Sequence, residues 1–152
     1  MSDLAVTNVE PSSLYDIRRR ILRAGDPAAS FDYEQDHASS ARHFAGVLDG
    51  RIVVSASFFL VPAPIRPELV SYQLRFMAVE ADVQGKGYGT VVLDTAEAAL
   101  GDLGAQQLWA NARDTALGFY LSTGWSLVEG SENVSAETNL PHTKVAKLIP
   151  AV

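Results

Sequence analysis

Cysteine is absent from this 152-residue chain, and basic charge is scarce. Without thiols there are no disulfides, no thiolate metal sites and no cysteine nucleophile, a composition that fits a reducing cytoplasm. Twelve lysines and arginines stand against eighteen aspartates and glutamates, a net charge of −6. That balance argues against a general nucleic-acid or anionic-membrane binder. No apolar run is long enough to span a bilayer, and Met1-Ser2-Asp3-Leu4 lacks the basic and apolar regions of a secretory leader. Internal repeats and low-complexity segments are missing too. What is present is 47% hydrophobic and 20% charged, with a mean hydropathy near zero. One soluble globular domain covering residues 1–152 is expected, with no metal ion.

The most informative stretch is Gln84-Gly85-Lys86-Gly87-Tyr88-Gly89. An apolar segment with strand character, Leu69 to Val79, precedes it. A helical pattern with Tyr88, Val92, Ala96, Ala99 and Leu103 on one face follows it. Three glycines at alternate positions remove Cβ atoms where the chain enters the helix, so backbone N–H groups can crowd against an anion, typically a pyrophosphate. The helix dipole favours negative charge at that end, even in an acidic protein. A Walker loop requires Gly-Lys followed by Ser or Thr, which no stretch supplies. A dinucleotide fold wants G-x-G-x-x-G, whereas the order here is G-x-G-x-G.

A second pattern lies in Asn111 to Trp125. Asp114 is placed to cap a short helix with Ala116, Phe119, Tyr120 and Thr123 on one face, and Gly124 stands where a left-handed residue ends it. Gln84-x-x-Gly87-x-Gly89 resembles the acetyl-coenzyme A loop of the GNAT acyltransferase superfamily. Ala116, Phe119-Tyr120 and Gly124-Trp125 resemble the A-x-x-F-Y-x-x-x-G-F/W signature of the same superfamily. The resemblance extends from about Leu14 to Leu148. Leu14, Ile17-Arg18, Ile21-Leu22-Arg23, Arg42-His43-Phe44, Arg75 to Val79, Asn111-Ala112 and Pro141-His142 are similar to its ElaA-like branch. The chain departs from the pattern at Arg113, where the branch often carries Gln and the wider superfamily a cofactor-contacting Asn. Asn111 is the substitute expected to contact the cofactor.

The remaining chain supplies a first strand over Leu4 to Val9, then a helix capped by Ser12 or Ser13 with Leu14, Ile17, Ile21 and Leu22 inward. Arg18, Arg19, Arg20 and Arg23 read as a solvated face, or alternatively as an anion or substrate entrance. Ala28 to Ser40 has no sustained period and carries Asp32, Glu34, Asp36 and His37. It reads either as a plain acidic surface loop or as an attractor for a cationic amine. Asp49-Gly50 between two apolar runs predicts a tight primed hairpin from His43 to Leu60. Pro62, Pro64 and Pro67 end that hairpin's second strand. Leu69 to Val79 then alternates, setting Arg75, Met77 and Val79 on one face. Gln107 to Ala110, Ser126 to Val128 and Thr143 to Ile149 complete the strands, with a polar loop over Glu129 to Asn139. The order predicts an α/β (α+β) fold with a mixed sheet and helices on both faces. The resemblance implies the GNAT fold, a mostly antiparallel sheet of six to seven strands with a splay between strands 4 and 5.

The resemblance also implies a function. Acetyl-CoA would be bound by Met77, Ala78, Val79, Gln84, Gly85, Lys86, Gly87, Tyr88, Gly89, Thr90 and Asn111. A neutral amine would attack its thioester, so an ammonium with a pKa of about 10.4 must first lose a proton. His142, Glu80, His43 and Glu34 are the candidate bases, with His142 first, and the N–H of Val79 the candidate oxyanion donor. Tyr120 would protonate the departing thiolate; its alternative reading is an aromatic core residue. Arg75, His43 and Glu34 are candidates to bind the acceptor, a small primary amine such as an amino sugar, polyamine or amino-acid-like compound. Family members frequently pair, so a homodimer is a further expectation. The competing class is a non-catalytic CoA-binding or protein-binding module on the same fold.

Overall fold

The computed structural model describes residues 3–26 and 33–150. Its strands are β1 (Ala5–Asn8), β2 (Arg42–Leu48), β3 (Arg51–Leu60), β4 (Ser71–Val79), β5 (Gln107–Arg113), β6 (Ser126–Leu127), β7 (Asn133–Val134) and β8 (Pro141–Leu148). Its α-helices are α1 (Tyr15–Ile17), α2 (Tyr88–Asp102) and α3 (Leu117–Ser122). The chain forms two compact units, Met1–Phe59 with Arg75–Ala99 and Leu60–Leu74 with Leu100–Val152.

In the first unit β1 and β2 are antiparallel, as are β2 and β3. The hairpin closes as its turn chemistry predicts: Leu48 faces Arg51, and Asp49 and Gly50 both have positive φ, 52° and 79°. Leu14, Ile17, Ala45 and Ala78 form a buried cluster. Gly46 lets α2 approach closely, since a Cβ there would lie 2.9 Å from Val92 Cγ2 and 3.0 Å from Val54 Cβ. The glycine of β2 therefore seats the helix that begins at the glycine-rich turn. β4 alternates buried and half-buried residues from Leu74 to Val79, but not as a regular strand. Phe76 has φ +58°, and its carbonyl accepts the Ser55 hydroxyl at 2.9 Å. A bulky residue in the left-handed region costs about 1–3 kcal/mol, so the neighbouring contacts must hold it there.

In the second unit β4 and β5 run parallel, but their ladder covers only Ser71–Gln73 and Gln107–Trp109, although β4 continues to Val79. β8 pairs antiparallel with β5, β6 and β7. Leu108, Ala110, Ala112, Tyr120, Trp125 and Val145 are buried. The Trp109 indole N–H donates to the Val61 carbonyl at 3.0 Å. The sheet is thus mixed and mostly antiparallel, as expected.

Several expectations need correction. The described residues hold eight strands, because the polar loop contains β7. The first helix is a succession of a 3-10 turn (Pro11–Leu14), α1 and a π turn (Arg18–Leu22), and neither Ser12 nor Ser13 caps it; Glu10 occupies the cap position without a side-chain bond. Pro11 at the first helical position fixes that start, since its missing N–H needs no partner there. Asp114 does not cap α3 either. Its carboxylate accepts the Thr143 hydroxyl at 2.9 Å. On α2 the buried stripe is Gly89, Val92, Leu93, Ala96 and Leu100, while Leu103 lies past the helix end and is 54% exposed. The arginine run is not all solvated: Arg18 is fully buried.

Candidate active site

β4 ends at Val79, and a 3-10 turn (Ala81–Val83) carries the chain into Gln84. The Gln84 amide folds back and donates to the Val79 carbonyl at 3.0 Å, pinning the turn to the strand. Gly85 and Gly87 have φ of +81° and +82°, and a Cβ at either would meet no atom within 4 Å. Conformation, not crowding, demands these glycines, and the space above them is open. The Gly87 carbonyl accepts the Val91 N–H at 3.2 Å, the start of the 15-residue α2. Helix geometry leaves the N–H groups of Tyr88, Gly89 and Thr90 without intrahelical acceptors. No acidic residue occupies the first turn to compete for them. Open glycines, first-turn amides and a nearby Lys86 fit the pyrophosphate of coenzyme A.

The strand before the turn has donors of its own. The Glu80 N–H donates to the Val53 carbonyl of β3 at 2.8 Å. Alternation along β4 therefore turns the N–H groups of Met77 and Val79 to the strand's other edge. The Glu80 carboxylate is committed elsewhere. Both oxygens lie on the Arg20 guanidinium, at 2.5 and 2.9 Å, and Arg20 also bonds Asp16 at 2.8 Å. With both oxygens held by this fork, the carboxylate ties the Arg18–Leu22 turn to the residue that follows β4.

His43, expected as a base or acceptor contact, is buried with both ring nitrogens bonded, Nδ1 to Ser57 Oγ at 2.8 Å and Nε2 to the Asp36 carbonyl at 2.9 Å. Desolvation holds its pKa below the ordinary 6.5. Asp36, expected on an acidic surface, is buried in an ion pair with Arg18 at 2.8 Å. Asp32 of the same stretch lies outside the described residues. Glu34 is exposed. Arg75 donates to Gln35 at 2.8 Å and lies over the rings of Phe76 and Tyr33, at 4.6 and 5.6 Å. A cavity of about 330 Å³ borders this region, lined among others by Asn8, Glu10, His37 and Arg42 together with Asp36 and His43.

The second unit holds the other expected residues. Tyr120 is buried on α3, its ring packed against Phe119 and Trp125 with centroids 5.2 Å away in each case. Among the described residues its hydroxyl has no hydrogen-bond partner. Burial raises the phenol well above its ordinary value near 10, so it carries its proton across the physiological range. Gly124 ends the helix at φ +93°, as its position predicts. His142 Nδ1 lies 2.8 Å from the Leu140 carbonyl. A carbonyl only accepts, so Nδ1 is the protonated nitrogen and the neutral ring carries its lone pair on Nε2. Asn111 exchanges both side-chain amide bonds with Asn133, at 3.1 and 2.8 Å, which occupies the groups expected to reach the cofactor. Residues that pattern reading missed, Tyr33, Gln35 and Ser57, lack any local signature. Their partners Phe76, Arg75 and Arg18 lie 39 to 43 positions away.

The Acetyltransferase (GNAT) family model matches residues 12–125. The chain belongs to this family. It is 33% identical over 122 residues to an uncharacterized N-acetyltransferase, YitI, of Bacillus subtilis (strain 168), covering 80% of this chain and 82% of that one. ElaA of Escherichia coli shares the GNAT fold with a TM-score of 0.71 at 15% identity, over 95% of this chain and 99% of that one. An aminoglycoside 6'-N-acetyltransferase solved with coenzyme A shares it with a TM-score of 0.73, also at 15% identity, over 97% and 98% of the two chains. As a GNAT N-acetyltransferase the protein is an enzyme of the acyltransferase class. No helix among the described residues is long and apolar enough to cross a membrane.

Proposed function

We propose that this GNAT enzyme transfers an acetyl group from acetyl-CoA to a primary amine of a small molecule, an amino sugar, polyamine or amino-acid-like acceptor. The observation that carries the reading is the open turn at the head of α2. Two glycines at positive φ, free first-turn amides and no competing carboxylate form an anion seat. Acetyl-CoA, when bound, supplies an acyl group activated as a thioester. The protein's own groups do the rest.

The amides of Tyr88, Gly89 and Thr90, with Lys86, hold the diphosphate. The Val79 N–H, turned away from β3, donates to the acyl oxygen as negative charge grows there, an effect worth a few kcal/mol. His142 accepts the amine's proton at Nε2, directly or through water, because Nδ1 is tied to Leu140. Tyr120 keeps its hydroxyl protonated and delivers that proton to the leaving sulfur.

Calorimetry with acetyl-CoA, then thiol release over glucosamine, spermidine and lysine, tests the reading. Binding followed by amine-dependent release is expected. Tyr120→Phe is expected to retain cofactor affinity within about twofold while turnover falls by roughly 10². Binding with no release on a wider amine panel would make the protein a non-catalytic CoA-binding module, and unchanged turnover would remove Tyr120 from the role of acid.

A further inference from the structure

Four side chains of the first unit close a buried ring. Arg18 grips the Asp36 carboxylate with both terminal nitrogens, at 2.8 and 3.1 Å, and donates to Ser57 Oγ at 2.7 Å. The Ser57 hydroxyl lies 2.8 Å from His43 Nδ1, and His43 Nε2 lies 2.9 Å from the backbone carbonyl of Asp36. Because that carbonyl can only accept, Nε2 carries the proton, Nδ1 accepts from Ser57, and each bond in the ring runs donor to acceptor without conflict. The Arg18 and Asp36 side chains have no solvent exposure at all.

A buried ion pair is a poor way to gain stability, because desolvating both charges consumes much of what their attraction returns; its better-attested use is to specify one arrangement among several. The arrangement specified here is visible. Asp36 belongs to the 3-10 turn Glu34–His37, and its N–H donates to the Tyr33 carbonyl at 3.0 Å. The Tyr33 ring stacks on Phe76 at 5.2 Å and 20°, and Gln35 accepts from Arg75 at 2.8 Å. The guanidinium of Arg18 itself lies 4.3 Å from the centre of the Phe76 ring. The same short turn is thus tied through Asp36 to the ring and through Tyr33 and Gln35 to β4. Phe76, the strand residue held at φ +58°, is the shared contact.

We propose that Arg18, Asp36, His43 and Ser57 are positioning residues that seat the Tyr33–Gln35 segment on Arg75 and Phe76 of β4, and so set which amines the enzyme accepts. This rests on the transferase reading above and on Arg75 as the acceptor-binding residue that the sequence suggests. None of the four touches the reacting atoms. Their effect is to fix one wall of the acceptor site while the cofactor turn, built from other residues, is left alone.

The full chain tests this through Ser57→Ala and Asp36→Asn, with acetyl-CoA affinity measured by calorimetry, amide exchange followed at residues 33–37 and 75–77, and KM and kcat determined for glucosamine, spermidine and lysine. Ser57→Ala removes one hydroxyl and leaves the Arg18–Asp36 fork, so it carries the test if Asp36→Asn does not fold. The expected result is exchange at least tenfold faster at 33–37, acceptor KM raised at least tenfold or the preference among the three amines reordered, and acetyl-CoA affinity within twofold of the parent. Asp36→Glu, which restores the charge, should recover part of the acceptor KM. A folded Ser57→Ala protein with parental exchange, or one with faster exchange but parental KM values and amine preference, overturns the proposal. A parent protein that binds acetyl-CoA yet releases thiol with none of these amines fails the transferase reading first, and the proposal falls with it.

Discussion

The glycine-rich turn at residues 84–89, proposed above to seat the diphosphate, and the ring of Arg18, Asp36, His43 and Ser57 belong to the same compact unit, and they are built on opposite principles. The turn is made from consecutive residues, works through main-chain amides, and needs empty space above its glycines. The ring is made from side chains of four separate segments and works only because water is kept out. A site that recognises a ligand through backbone can be written locally, as a spacing of glycines. A site that positions a wall through buried charge exists only after the fold has brought its parts together.

The contrast can be broken at either end. The largest effect is expected from Arg18→Met, which strands the Asp36 carboxylate in the interior. Breaking one side of a buried pair costs about 3–5 kcal/mol, to be read from urea unfolding, while the folded fraction should bind acetyl-CoA with parental affinity. A loss of cofactor affinity would show that the two regions are not separable. Gly87→Ala is the converse. A side chain at φ +82° costs about 1–2 kcal/mol in the left-handed region, so acetyl-CoA affinity should fall by roughly tenfold as the turn relaxes, with only a few degrees lost in melting temperature. Parental affinity in that variant would remove the turn as the seat of the diphosphate.

A smaller effect sharpens the picture of the ring. Desolvation depresses the His43 pKa in the folded protein, whereas the unfolded chain titrates near 6.5. Between those values the unfolded state binds more protons. The contribution to stability is therefore complete above about pH 6.5 and is lost as pH falls through the depressed folded value. Melting temperatures across pH 8, 6.5 and 5 should drop on the acid side, and His43→Gln should flatten that part of the profile. The groups facing the ring are Arg18, Asp36, His37 and Ser57, and of the charged ones only Asp36 favours protonation. Least of all is expected from Glu80→Gln. Its partner Arg20 is 43% exposed, so the pair contributes less than about 1 kcal/mol, and turnover should stay within about threefold. A hundredfold loss would return Glu80 to the role of base.

Much of the fold could be read from local chemistry. Asp49-Gly50 specifies its turn because both residues must take positive φ, and Gly124 ends α3 for a similar reason. The alternation of β4 survives even the irregular backbone at Phe76. Arg18 was misread because adjacent arginines resemble a solvated face, and nothing near position 18 announces a carboxylate eighteen residues on. The side chains of His43 and Asn111, expected at the site from the matching motifs, are engaged by other side chains of the protein. Their partners, Ser57 and Asn133, become neighbours only through strand pairing or loop placement. The two-residue β7 is too short to leave any periodicity.

The 3-10 turn that Asp36 anchors also divides its residues by tolerance to change. Asp36 is locked and Tyr33 is pressed on Phe76, but Glu34 faces solvent between them and bears no structural duty that its exposure reveals. Selection for a new amine could rewrite position 34 freely while the frame stays intact. Divergence among descendants of this enzyme should therefore begin there, well before any drift at the anchor.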